Sequence, residues 1–134
     1  MNKIEEQFIP YESALELKEL GFDEECFGYY IESLCSTVVK LEIMYSNYNA
    51  GKYITIPEDF HTNAPLWQQS FNWFREVYSL HSAITSVSQE SWQWHIQMPH
   101  DTLDVLWDED FSSYEEASLE CLKTLIEIVK QARK

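Results

Sequence analysis

Two histidines and an aspartate in the second half of the chain have side chains that can bind a metal ion. His95, His100 and Asp104 lie within ten residues, and imidazole and carboxylate groups are ligands for zinc, manganese or iron. A bound ion would support metal-dependent hydrolysis. Because the spacing matches no established metal motif, the competing interpretation is that these are solvated strand and turn residues.

Three consecutive carboxylates form a second candidate. Asp108, Glu109 and Asp110 follow Trp107, and paired carboxylates can act as acid and base or hold a divalent cation. The spacing and the glycine of an EF-hand loop are absent from this stretch. We therefore predict a hydrated turn, and we keep these four residues as candidates for contact with a ligand or a protein partner.

The sequence carries no recognisable motif for nucleophilic or phosphate chemistry. It has no G-x-G-x-x-G, phosphate loop, G-x-S-x-G or H-E-x-x-H motif, and its three glycines leave little material for a loop around phosphates. His61 and His81 belong to no nucleophile motif. We expect no catalytic residue and no cofactor, and on balance no enzymatic activity.

The cysteines and the apolar pattern indicate a compartment. Cys26, Cys35 and Cys121 are odd in number, have no C-x-x-C spacing and stand next to no histidine, so a disulfide framework is not expected. The first residues contain no apolar run of signal-peptide length, and nowhere do about 18 apolar residues follow one another. We predict a cytoplasmic protein with free thiols.

Length and charge limit the classes of partner. The 134 residues match one domain, residues 1–134, with 23 acidic and 9 basic residues and a net charge of −14. This charge disfavours direct binding to nucleic acid or to an anionic membrane. It either keeps the protein soluble or forms a surface for a basic protein partner.

The densest aromatic pattern lies between residues 63 and 82. Asn63 is a good N-cap and Pro65 suits a first turn, so we predict a helix that begins near Ala64. Aromatic and apolar residues recur at helical spacing and predict one buried face. Its members are Trp67, Ser70, Phe71, Phe74, Val77 and Tyr78, with Leu66 and Trp73 widening it.

Trp92 and Trp94 belong to the clearest strand pattern. In SWQWHIQM the apolar residues alternate with Gln93, His95 and Gln97, as expected for a strand with one buried face. If helices cover the tryptophan face, it is core, which we favour. If that face is open, the two tryptophans form an aromatic binding surface, and they are kept as candidates for a ligand or partner site.

The other elements are predicted from shorter patterns. A first helix begins after Pro10 and ends at a Gly21 cap with a contact from Phe22, and a last helix begins with the capping box of Ser113 and Glu116. Strands are predicted in CFGYYIE, Thr37–Tyr45, Tyr53–Ile56, Ala83–Ser88 and LDVLW. The class is α+β, an antiparallel sheet with about three helices packed mainly on one face.

Three segments carry a resemblance that covers the chain from end to end. IPYESALELKELGFDEECFGYY, APLWQQSFNWFREVYSLHS and SYEEASLECLKTLIEIVK together resemble a family of small uncharacterised proteins of Bacteroidetes bacteria and their phages and prophages. The resemblance implies a fold and a phage or mobile-element setting, and it brings no activity, cofactor or catalytic residue. This setting favours a protein that binds host machinery.

Three hypotheses for the function follow. The first is a non-catalytic protein-binding or adaptor module. The alternatives are a protein that sequesters a small nucleotide-like ligand and a metal-dependent hydrolase that uses His95, His100 and Asp104. A homo-oligomer is compatible with all three.

Overall fold

The computed structural model of the protein describes residues 5–32, 39–43, 61–97 and 105–132. Together these residues form three α-helices and two antiparallel sheets of three strands each. After a 3-10 turn at Glu5–Gln7, the elements are α1 (Tyr11–Glu19), β1 (Gly28–Glu32), β2 (Val39–Ile43), β3 (His61–Ala64), α2 (Trp67–Tyr78), β4 (His81–Ser88), β5 (Ser91–Gln97), β6 (Val105–Phe111) and α3 (Tyr114–Ala132).

The α+β class is confirmed, with the strands divided between two small sheets. The chain forms two compact units, residues 1–70 and 71–134. The boundary between the units falls within α2. That residues 1–134 form a single domain stays a prediction.

In the first unit, β1 is the central strand of the sheet order β2-β1-β3. Gly28 pairs with Ile43 on one side and with Ala64 on the other. The strand predicted in CFGYYIE is confirmed from Gly28 onward, whereas Cys26 and Phe27 precede it, and the strand predicted at Thr37–Tyr45 is confirmed over Val39–Ile43. The predicted strand Tyr53–Ile56 lies outside those residues.

The first helix ends as its sequence predicts. Gly21 has a φ of 104°, a left-handed conformation that glycine adopts without steric cost. Its N–H donates to the oxygen of Lys18 (3.1 Å), and the N–H of Phe22 donates to the oxygen of Leu17 (3.0 Å). This is a Schellman motif, in which the buried Phe22 follows the glycine.

The predicted start of the central helix is wrong by three residues. Asn63 does not cap the helix, because it lies in β3 and pairs with Tyr29 of β1. The backbone of residues 61–64 is thus committed to a sheet. The helix α2 begins at Trp67, and the N–H of Ser70 makes its bond to the oxygen of Leu66 at 3.0 Å.

The aromatic face of α2 is buried over most of its length. Ser70, Phe71, Trp73 and Phe74 are buried. Val77, predicted to join them, is 55% exposed. Toward the end of α2 the aromatic rings contact one another, because Trp73 lies 5.1 Å from Phe74 and 5.4 Å from Tyr78 between ring centroids.

In the second unit, α3 packs against all three strands of the sheet β4-β5-β6. The predicted strands at Ala83–Ser88 and in SWQWHIQM are confirmed as β4 and β5. The N–H of Glu116 donates to Ser113 Oγ at 3.1 Å, which confirms the serine cap of α3. The buried face of α3 consists of Ala117, Ser118, Cys121, Leu122, Leu125, Ile126 and Val129.

The acidic segment predicted as a turn is part of a strand. Asp108 to Asp110 lie within β6. The register shifts between the pairs Trp94 with Asp108 and Trp92 with Phe111. Glu109 and Asp110 therefore lie opposite a single residue of β5, which is the arrangement of a β-bulge. These acidic residues favour turns, but they lie in a strand because β6 pairs with β5.

Candidate functional site: an acidic loop with an exposed phenylalanine

The two tryptophans of β5 differ in accessibility. Trp94 is 6% exposed and pairs with Ile84 of β4, so it belongs to the core and is not available to a partner of the folded protein. Trp92 is half-buried, and its ring lies edge-on to that of Tyr114 at 5.5 Å between centroids. Helix α3 thus takes part in covering this strand, as favoured from the alternation.

The other candidates for ligand or partner contact, Trp107 to Asp110, lie in β6, and their backbone pairs with β5. Trp107 pairs in register with His95, and Asp108 pairs with Trp94. Glu109 and Asp110 occupy the bulge of β6. Partner contact through these four residues stays a prediction.

One member of the predicted metal site is described, and it belongs to a hydrogen-bond network. His95 Nε2 lies 3.0 Å from Thr85 Oγ1 and 3.3 Å from Gln93 Nε2. His100 and Asp104 lie outside the described residues. Within the described ranges no three His, Cys, Asp or Glu side chains are grouped so that they could hold a metal ion. The three-residue site stays a prediction.

A different segment combines exposed charge with an exposed aromatic ring. Residues Asp23 to Phe27, here called the acidic loop, connect the end of α1 to β1. Asp23, Glu25 and Phe27 are exposed, whereas Glu24 is half-buried and Cys26 is buried. Exposed and less exposed residues thus alternate along the loop, and Phe27 lies at a bend before β1.

Polar side chains from two other elements hold the backbone of the acidic loop. Gln69 of α2 donates to the backbone oxygen of Glu25 at 2.8 Å and to a carboxylate oxygen of Glu24 at 3.4 Å. Asn63 of β3 and the thiol of Cys26 both donate to the backbone oxygen of Glu24, each at 3.3 Å. These hydrogen bonds hold the loop backbone at Glu24 and Glu25, whereas the side chains of Asp23, Glu25 and Phe27 are exposed to solvent.

Phe27 is the apolar part of this surface. Its side chain is 48% exposed, although burial of an aromatic side chain stabilises a protein by roughly 1.5–3 kcal/mol. The sequence run CFGYYIE predicts a strand that includes this residue, but β1 begins only at Gly28. Its proximity in sequence to three carboxylates was the available signal.

The acidic loop belongs to the most acidic stretch of the described chain. Residues 5–32 contain nine acidic residues and one basic residue, Lys18. Glu6, Glu12 and Glu19 are exposed there in addition to the outward carboxylates of the acidic loop. β4 and β5, by contrast, contain no Asp, Glu, Lys or Arg. The charge of −14 is thus unevenly distributed along the chain.

The two cysteines in the described ranges are free thiols without nucleophilic activation. Burial, reinforced by the negative charge of Glu24, raises the pKa of Cys26 to about 12 despite a hydrogen bond with Gln69. Burial likewise raises the pKa of Cys121 to about 12, although a hydrogen bond with Ser82 acts to lower this pKa. Because the thiolate is the nucleophile, neither group is suited to attack a substrate at neutral pH.

Comparison with known proteins adds no relative: no family model, no curated protein and no solved structure matches the chain. Among the described helices, none has the length and apolar character needed to cross a membrane.

Proposed function

We propose that this chain is a non-catalytic protein-binding module of phage or mobile-element type, and that it binds a basic segment of a partner protein on the acidic loop. The observation that carries the proposal is the exposed ring of Phe27, two residues after the exposed Glu25 and four after the exposed Asp23. The anchoring by Gln69 supports it.

An aromatic residue within a charged rim is a frequent arrangement in protein interfaces. A few aromatic anchors supply most of the binding free energy, and polar groups around them set orientation and exclude water. Phe27 has the role of the anchor, and Asp23 and Glu25 form the rim. A partner segment with an apolar side chain between lysines or arginines would complement both features.

The charge of the surrounding stretch supports a basic partner. Nine acidic residues and one lysine in residues 5–32 produce a negative potential that attracts basic segments and accelerates their association. The same potential repels nucleic acid, so we propose no direct contact with DNA or RNA.

A fixed loop is suited to recognition. The hydrogen bonds from Gln69, Asn63 and Cys26 restrict the backbone before a partner arrives, which lowers the conformational entropy lost on binding. The sequence resemblance to phage and prophage proteins of Bacteroidetes, and the lack of a catalytic motif in the sequence, support binding over catalysis. We place this activity in the cytoplasm of the host cell.

Selection from a displayed library of random peptides tests the proposal. We expect enriched peptides to combine lysine or arginine with an apolar residue, and to bind less tightly as salt increases. Phe27→Ser and Glu25→Lys should each weaken their binding by more than about tenfold.

Two matched variants serve as controls. Val87→Ser replaces another exposed apolar side chain, 52% accessible, with serine, and Glu90→Lys reverses an exposed charge in the turn after β4. Both should retain the peptides. Enriched peptides that bind all four variants equally, or a selection without any enrichment, would contradict the proposal.

A further inference from the structure

β4 is an edge strand with an unusual composition. It is the first strand in the order β4-β5-β6, and among the residues that the structure describes it is paired with β5 alone. Six of its eight residues are exposed, and Ser82 and Ile84 are half-buried. An edge strand presents unpaired backbone N–H and C=O groups, so it can accept another strand unless the sequence prevents it.

The other edges of the two sheets carry features that discourage further pairing. β2 contains Lys40 and Glu42, β3 is only four residues long, and β6 has three consecutive acidic residues and a bulge. Charges, short length and bulges are the means by which natural proteins protect sheet edges.

β4 lacks these features over most of its length. No Asp, Glu, Lys, Arg or Pro occurs between Val77 and Gln89. A shift in register lies between Ser86 and Ser88, which leaves residues 81–86 as a regular edge. This neutral edge contrasts with the charge of −14 on the whole chain.

We propose that β4 pairs in antiparallel fashion with β4 of a second copy of this chain, joining two three-stranded sheets into one of six strands. The absence of charged residues along β4 favours a second copy of the chain as the partner. A basic segment finds no carboxylate on β4 to contact, whereas two copies can meet along it without placing like charges opposite each other. None of the residues of the acidic loop takes part.

Two-fold symmetry favours a register centred on Ile84. In this register Ile84 lies opposite Ile84 of the other copy, and Ser82 lies opposite Ser86 of the other copy. These three positions lie on the same face of the sheet as Trp92, Trp94 and Ile96 of β5. The register uses five residues of each copy and ends before the irregularity at Val87. Five residues from each copy are fewer than a stable interface contains, so we expect a weak dimer whose population depends on protein concentration.

Salt gives a signature of this interface. Two chains of charge −14 repel each other at a distance, and added salt screens that repulsion without weakening neutral backbone hydrogen bonds. The dimer should therefore strengthen as salt increases. The basic partner of the acidic loop should show the opposite dependence, so failure of one proposal is distinguishable from failure of the other.

Analytical ultracentrifugation of the full chain over a wide range of concentrations tests the proposal. Ala83→Lys introduces a charge at an exposed position of the edge and should weaken dimerisation by more than about tenfold. Gln97→Lys adds the same charge at an exposed position of the central strand β5 and should leave dimerisation unchanged. Hydrogen exchange of β4 amides should slow as the wild-type concentration rises.

Three outcomes would overturn the inference. The first is a wild-type chain that remains monomeric at high concentration and high salt. The second is an Ala83→Lys variant that dimerises as tightly as Gln97→Lys. The third is β4 protection that appears on addition of a lysine-rich peptide but not on raising the protein concentration.

Discussion

The side-chain amide of Gln69 donates a hydrogen bond of 2.8 Å to the backbone oxygen of Glu25, which connects helix α2 to the acidic loop. The same nitrogen lies 3.4 Å from the Glu24 carboxylate. A residue 44 positions away in the chain thus positions the surface that we propose for partner binding. Gln69 is a positioning residue, because its amide acts on the loop backbone and not on a partner.

Replacing Gln69 with alanine should loosen the acidic loop. The change removes both hydrogen bonds to Glu24 and Glu25, and we expect the free energy of unfolding to fall by about 1 kcal/mol. Amide hydrogens between Glu25 and Phe27 should exchange faster, as measured by hydrogen exchange and mass spectrometry.

Gln131→Ala is the matched control for that variant. Gln131 also donates a side-chain hydrogen bond on a helix, to Glu127 at 2.8 Å, but it lies in α3. It should leave exchange in the acidic loop at the wild-type rate. Equal exchange in the Gln69→Ala variant and the wild type would show that the loop is held without the glutamine.

The buried thiols predict a loss of stability at alkaline pH. Folding raises the pKa of Cys26 and of Cys121 from 9.0 to about 12, so between these values the folded state keeps a proton that the unfolded state releases. The stabilisation is complete below pH 9 and is lost as pH rises toward 12. The slope is about 1.4 kcal/mol per pH unit for each thiol.

Denaturant titrations at several alkaline pH values would measure this slope. Cys121→Ala should reduce the slope by one thiol's contribution, and the double variant with Cys26→Ala should reduce it by two. Comparison between variants separates the thiols from lysines and tyrosines, which titrate in the same range. An unchanged slope in the double variant would show that these thiols are not the groups responsible.

The end of α1 and the start of α3 were predicted well because their signals are local. The glycine cap at Gly21 and the serine cap at Ser113 each depend on residues within one turn of the helix end. The capping box is only half realised, because the Glu116 carboxylate accepts a hydrogen bond from Ser112 Oγ at 2.8 Å. The strand periods of β4 and β5 were equally local.

Features that depend on distant pairing were not predicted. Asn63 has the chemistry of an N-cap, but pairing with Tyr29 draws it into β3. Asp108 to Asp110 have turn composition, but β5 holds them in a strand. The hydrogen bonds that hold the acidic loop were not predicted, because Gln69 is far away in sequence from the loop. No local pattern encodes such contacts.

Removing the serine cap of α3 should destabilise the second unit. In Ser113→Ala the N–H of Glu116 loses its acceptor, and loss of an N-cap costs about 1 kcal/mol. Ser112→Ala is the control, since it removes an exposed hydrogen bond to the Glu116 side chain and should cost less. Chemical denaturation followed by circular dichroism measures both. Equal costs would show that the backbone cap does not govern the helix start.

Helix α3 contains a buried hydroxyl group. Ser118 is buried, and its Oγ has no hydrogen-bond partner in the part of the chain that the structure describes. A buried polar group without a partner is destabilising by about 1–3 kcal/mol, and alanine favours a helix interior more than serine does. We therefore expect Ser118→Ala to raise the free energy of unfolding by about 1 kcal/mol.

Ser70→Ala provides a matched comparison in α2. Ser70 is also buried in a helix, but its Oγ donates to the backbone oxygen of Leu66 at 3.1 Å. Removal of this satisfied hydroxyl forfeits a hydrogen bond, so the variant should be no more stable than the wild type. The midpoints of thermal and denaturant unfolding should rise in Ser118→Ala and should not rise in Ser70→Ala. If Ser118→Ala is instead destabilising, the hydroxyl has a partner in solution, such as a buried water molecule.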